Sequence, residues 1–169
     1  MRYQYIVAID PSGNFNEGKG TTGCCILEAN TKTIIETKSI SATKFITQFD
    51  YWRAVLSYII KASLKYKSVG VVVEDFLLYK TKAENQINSK METPKLIGVL
   101  EYFCTEREIP IILQPAHMVK NRWNNDILIH KGFIQPFKKG FITHSNKLVD
   151  RHAIDAIRHA IHFATFKNK

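Results

Sequence analysis

Nothing in the 169 residues approaches the ~20 uninterrupted apolar residues that a membrane-spanning helix needs. The opening stretch Met1-Arg2-Tyr3-Gln4-Tyr5-Ile6-Val7 enters a strand-like segment at once and has no signal-peptide layout. The expectation is therefore an intracellular, cytoplasmic protein with no membrane partner. Cysteine is scarce. Cys24, Cys25 and Cys104 have neither the number nor the spacing of a disulfide framework or a zinc site, and read as small buried side chains in a reducing compartment. Two catalytic signatures are missing as well. Ser12-Gly13 lacks the G-x-S-x-G elbow of a serine hydrolase, and the loop after the first strand lacks the G-x-x-x-x-G-K-[ST] phosphate cradle. Without repeats or low-complexity tracts, residues 1–169 read as one domain with one sizeable core.

Positive charge, by contrast, is abundant. Lys and Arg total 24 against 15 Asp and Glu, a net charge of +9. A small basic protein of this kind suits a polyanionic partner, because each neutralised phosphate releases counterions. A lysine-rich soluble surface is the simpler explanation for any single residue.

Hydrophobic patterning orders the chain. Residues 3–10 form an apolar strand ending on an acid, and the loop Pro11–Gly20 leads to a second strand, 21–29. A turn at Asn30-Thr31-Lys32 gives a third, 33–42, so the first three strands read as an antiparallel meander. From Lys44 to Lys65, Phe45, Ile46, Phe49, Trp52, Leu56, Ile59, Ile60 and Leu64 recur at helical spacing. Residues 68–75, SVGVVVED, are apolar enough for a strand covered on both faces. Residues 76–92 are polar and irregular, and read as a mobile loop. Thr93-Pro94 then starts a helix to about Glu108, with Leu96, Val99, Leu100 and Phe103 inward. A short strand IILQPA follows, then a helical segment from His117 to Lys131, a basic loop with Lys138, Lys139 and Gly140, and a last helix from about Lys147 to Phe166. The order β-β-β-α-β-α-β-α predicts an α/β fold: a mixed five-stranded sheet with helices on both faces.

Asp10 and Glu74 close two of these strands, at the end of a sheet where functional groups collect. Neighbouring carboxylates repel unless a cation lies between them, and Mg²⁺ takes one or two carboxylates together with water and phosphate oxygens. Asp75 rivals Glu74; the two point to opposite faces of the strand, and only one can turn inward. On the last helix Ala153, Ile157, Ala160 and Ala164 mark a core face. His152, Asp155, His159 and His162 form a stripe on the other side, with Arg151 and Arg158 at its edge. A solvated face accounts for that stripe equally well. Asp150 fits a helix N-cap as well as it fits a site. His152, one turn before Asp155, suits metal ligation or proton transfer near neutral pH. Together the acids point to metal-assisted phosphoryl transfer.

In this order the residues resemble a known family. Asp10-Pro11-Ser12-Gly13 with Thr22-Gly23, Val72-Val73-Glu74, Lys95-Leu96-Ile97-Gly98-Val99, Gln114-Pro115-Ala116-His117-Met118-Val119-Lys120 and His152-Ala153-Ile154-Asp155-Ala156-Ile157 resemble the successive motifs of RuvC-type Holliday junction resolvases. The chain resembles in particular the small bacteriophage RuvC endonucleases, the lactococcal phage form among them. The resemblance implies a ribonuclease H-like fold and a Mg²⁺-dependent crossover junction endodeoxyribonuclease, with Mn²⁺ able to substitute. It implies a homodimer acting on branched DNA, in recombination, repair or phage DNA processing. It assigns Asp10, Glu74, His152 and Asp155 as the catalytic, metal-binding set, and Lys120 as a DNA-contacting lysine. The family's junction-wedging aromatic falls here on Leu77, with Phe76 and Tyr79 beside it as substitutes. Lys80, Lys82, Lys90, Lys131, Lys138 and Lys139 are candidates to hold backbone phosphates. The segment Asn14–Gly20 is an insertion relative to the family. Two other activities remain open at this level: a junction-binding protein without catalysis, and a ribonuclease H acting on RNA–DNA hybrids. An actin-like ATPase lobe is disfavoured, because this chain is too short for the two lobes that clamp a nucleotide.

Overall fold

Strand β1 (Tyr5–Asp10) is the centre of the molecule, in a computed structural model that describes residues 2–77, 91–138 and 140–168. It pairs antiparallel with β2 (Thr21–Glu28) and parallel with β4 (Val69–Asp75). Outside these lie β3 (Thr33–Ser41), antiparallel to β2, and β5 (Ile111–Pro115), parallel to β4. The main sheet thus runs β3-β2-β1-β4-β5, the mixed five-stranded sheet expected from the sequence.

Alternation along the strands separates two cores. Val7, Ile9, Cys24, Ile26, Val71 and Val73 face one layer, formed by α1 (Gln48–Lys65) and α2 (Glu92–Glu106). Ile6, Ala8, Cys25, Leu27 and Val72 face the other, built from α3 (Ala116–Lys120), α4 (Asn125–His130) and α5 (Arg151–Phe166). All three cysteines are buried and unpaired. Asp10 continues the parity of Ile6 and Ala8, and Glu74 that of Val72, so both acids face α5. Asp75 shares the parity of Val73, which settles the choice between the two neighbours.

Several sequence expectations need correcting. Helix α1 begins at Gln48, because the Thr47 hydroxyl accepts from Asp50 N and caps it there. Its buried stripe is Tyr51, Trp52, Val55, Tyr58, Ile59 and Ala62, whereas Ile46, Phe49 and Leu64 are exposed. On α2 the fully buried apolar positions are Leu96, Ile97, Leu100 and Cys104, with Val99 and Phe103 only half-buried. The His117–Lys131 helix is two short helices, since the Asn124 side chain caps a fresh start by accepting from Ile127 N. The segment around the basic residues holds a second, three-stranded antiparallel sheet among the described residues: β6 (Ile134–Phe137), β7 (Gly140–Thr143) and β8 (Leu148–Val149), with Lys138 in the turn after β6. Finally, α5 starts at Arg151 because Asp150 is its N-cap, accepting from Ala153 N at 2.9 Å.

Candidate metal centre

Two glycines and a threonine explain how the first strand's acid meets the last helix. Asp10 lies opposite Gly23 in the β1–β2 ladder, and the start of α5 rests directly on Gly23. A Cβ at Gly23 would lie 2.0 Å from the His152 carbonyl oxygen, so only glycine admits the helix backbone at this point. Next to it, Thr22 Oγ1 accepts from Ser12 N at 3.2 Å and bonds the Tyr51 hydroxyl, which reaches the Ser12 carbonyl at 2.7 Å. These contacts pin the turn that follows Asp10. At Gly13 the loop meets the first turn of α2, and Gly13 N donates to Thr93 Oγ1 at 2.9 Å.

The result is a cluster of three carboxylates from three separate elements. Asp10, Glu74 and Asp155 each offer an oxygen within 4.8 Å of the others. Asp10 and Asp155 are buried and Glu74 nearly so. His152 Nδ1 stands 2.9 Å from Asp10 Oδ2 and adds a fourth member at the rim. Lys120, at the end of α3, lies between two of the acids, 3.0 Å from Glu74 Oε1 and 3.1 Å from Asp155 Oδ2. Its ammonium is a cation inserted among carboxylates that would otherwise repel. Arg158 also bonds Asp155, and reaches Asn125 Oδ1 at 2.7 Å.

Each group's proton affinity follows from these neighbours. Burial, with the charges of Glu74 and Asp155, pushes Asp10 up to about 6 against the opposing hydrogen bond from His152. The same bond raises His152 above the usual imidazole value. Burial opposes ionisation of Glu74 too, but its bond to His159 and the nearby Lys120 ammonium win and hold it at about 2. For Lys120, burial disfavours the ammonium, yet Asp155 and Glu74 together raise its value. The three carboxylates form a compact oxygen donor set already matched to a cation, which fits a hard divalent ion such as Mg²⁺ or Mn²⁺.

Removing the competing ammonium has a predictable sign. Lys120→Met should tighten Mn²⁺ binding to the DNA-free protein by about tenfold, equivalent to about 1.4 kcal/mol. Isothermal titration with Mn²⁺ checks this; weaker binding by the variant would show that Lys120 does not compete for the acids.

Sequence reasoning missed one member of the cluster. His159 is wholly buried, with Nε2 3.0 Å from Glu74 Oε2 and Nδ1 3.0 Å from Gln114 Oε1. Its signal was its place four residues after Asp155, hence on the same helix face. The stripe Asp155, His159 and His162, open to reading as a solvated face, is buried. Of the expected DNA contacts, Lys120 joins the acids. Lys138 is exposed at the tip of the second sheet, 5.3 Å over the Phe137 ring. Phe76 packs partly into the α1–α2 core, and Leu77 is exposed. Tyr79, Lys80, Lys82, Lys90 and Lys139 lie outside the described residues.

No protein-family model matches this sequence, and no curated protein matches it either. Solved structures do match in three dimensions. RuvC of Thermus thermophilus in complex with a Holliday junction substrate superimposes with a TM-score of 0.69 at 12% identity, over 97% of this chain and 94% of that one. A second T. thermophilus RuvC structure gives 0.65 at 11% identity, over 96% and 94%. At this identity the likeness is one of fold: the chain has the ribonuclease H-like fold of RuvC.

Proposed function

We propose, for a chain with the ribonuclease H-like fold of RuvC, a metal-dependent endonuclease that hydrolyses phosphodiesters in four-way and other branched DNA. The observation that carries this reading is the convergence of Asp10, Glu74 and Asp155 within 4.8 Å at one end of the sheet. Bound there, Mg²⁺ or Mn²⁺ supplies the Lewis-acid charge that phosphodiester hydrolysis needs.

The chain's own residues do the rest. Asp10, Glu74 and Asp155 would hold the ion, and His152, beside Asp10, is placed to ligate or to move a proton. Lys120 bridges Glu74 and Asp155, and its ammonium would be free to meet a phosphate were a bound cation to neutralise them. Lys131 and Lys138, with Lys139, Lys80 and Lys82, fix the DNA backbone without reading bases. Two copies of the chain would present two sites to one junction. Phe49 on α1 and Tyr102 on α2 are exposed on the layer opposite α5, and suit the pairing surface of a homodimer.

A direct assay offers the purified chain a labelled four-way junction, a linear duplex and an RNA–DNA hybrid side by side. Mg²⁺-dependent cutting of the junction in preference to the other two is expected. Bound but uncut junction would favour a binding protein, and preferential loss of the hybrid a ribonuclease H.

Metal should also stabilise the fold in a pH-dependent way. At a hundredfold excess over its dissociation constant, Mn²⁺ should add about 2.7 kcal/mol, raising Tm by roughly 5–10 °C for a chain of this size. Asp10, held at about 6, favours the metal-free fold when protonated, and that contribution is lost as pH rises through 6. The ion needs the anion. The Tm gain should therefore be full at pH 7.5 and shrink below pH 6, and an equal gain at pH 5 and pH 7.5 in calorimetric scans would contradict the assignment of Asp10.

A further inference from the structure

We infer that His159 is a positioning residue for the acidic site: braced by Gln114, its ring fixes the Glu74 carboxylate so that the other oxygen is presented to a divalent cation. This rests on the metal-site reading above and deepens it.

The geometry starts from register. Glu74 and Gln114 are direct partners in the parallel β4–β5 ladder, so their side chains stand side by side on the face that α5 covers. His159 comes down between them from α5, one turn beyond Asp155, and no part of it reaches solvent. Both ring nitrogens are engaged, at 3.0 Å to Glu74 Oε2 and 3.0 Å to Gln114 Oε1. The two carboxylate oxygens of Glu74 are thereby divided. Oε2 is tied to the ring inside the protein, and Oε1 faces the Lys120 ammonium within the acid cluster.

The division holds in either orientation of the Gln114 amide, with the proton on Nε2 facing Glu74. With the Gln114 oxygen toward the ring, both nitrogens donate, one to Gln114 and one to Glu74. With the amide turned about, its NH₂ donates to Nδ1 and a neutral ring still donates from Nε2 to Glu74. Gln114 Nε2 has no protein partner among the described residues, so no other bond holds the amide in either orientation. In both arrangements Glu74 Oε2 accepts from His159. A ligating carboxylate oriented by a buried donor loses less freedom when it meets the ion, and removing such support typically weakens metal binding about 10–100-fold.

The test uses full-length protein without DNA, with Mn²⁺ affinity read from the electron paramagnetic resonance signal of the free ion. A metal-free thermal melt of each variant establishes that it is folded at the assay temperature. His159→Leu should bind Mn²⁺ about 10–100-fold more weakly than wild type. His159→Gln, which keeps an N–H donor, should recover most of that loss, and Gln114→Leu should fall between. Wild-type affinity in folded His159→Leu, or equal losses in the Leu and Gln variants, would overturn the inference. Should His159→Leu not fold, Gln114→Leu decides: weakened binding supports the brace and unchanged binding overturns it. A wild-type protein that binds no Mn²⁺ overturns the metal-site reading itself, a failure distinguishable from loss of the brace alone.

Discussion

Replacing Glu74 by glutamine should abolish junction cleavage while leaving junction binding intact. The substitution keeps the size of the side chain and one acceptor oxygen but removes the negative charge that a divalent ion needs. Metal assistance contributes several kcal/mol to phosphodiester cleavage, and about 4 kcal/mol of barrier corresponds to about a thousandfold in rate. A loss of that order or more is therefore expected in single-turnover cleavage, with the gel-shift dissociation constant changed by less than about threefold. Lys131 and Lys138, exposed and proposed to hold backbone phosphates, do not touch Glu74, so removing its charge should leave those contacts in place. Wild-type cleavage by this variant would remove Glu74 from the site and leave Asp75 to be reconsidered, against the strand parity that turns Asp75 toward α1 and α2.

The second large effect is structural and concerns a residue with no chemistry of its own. Gly23→Val should destabilise the protein by about 3 kcal/mol or more, a fall in Tm of roughly 6–12 °C. A Cβ at this position would lie 2.0 Å from the His152 carbonyl oxygen and 2.7 Å from Ala153 N, both backbone atoms that cannot rotate aside. The helix start must move away, carrying His152 and Asp155 from Asp10. Thermal stability and Mn²⁺ affinity should therefore fall together. The matching control is Gly98→Ala on α2, where an added methyl meets nothing within 4 Å and both quantities should stay near wild type. Loss of stability in Gly23→Val without loss of Mn²⁺ affinity would separate the helix contact from the site.

These two residues illustrate what the sequence makes legible. The acids could be read because strand ends and helix faces follow from periodicity: Asp10 and Glu74 each close an apolar run. The parity of VVVED shows only that Glu74 and Asp75 face opposite ways, and the packing of Val72 toward α5 decides between them. A mixed sheet of five strands, though not their order across it, followed from the same patterning. The helical stripe misled, because hydrophobic periodicity treats histidine as a surface residue, whereas His159 is buried with polar partners supplied by Glu74 and Gln114. Those partners come from strands 85 and 45 residues away, beyond the reach of local pattern. The second sheet was missed for a related reason. Its strands are short, contain Pro136 and the turn residue Lys138 with φ near 50°, and bury little, so no alternation marks them. The restart of the helix at Asn125 hung on one capping side chain, Asn124.

Whether the three carboxylates bind a divalent ion can be seen in a crystal soaked in Mn²⁺ and measured at the manganese absorption edge. An anomalous peak bounded by the carboxylates of Asp10, Glu74 and Asp155 is expected, with the Lys120 ammonium moved off Glu74 and Asp155. Manganese bound elsewhere only, with Lys120 still bridging the two acids, would contradict that expectation.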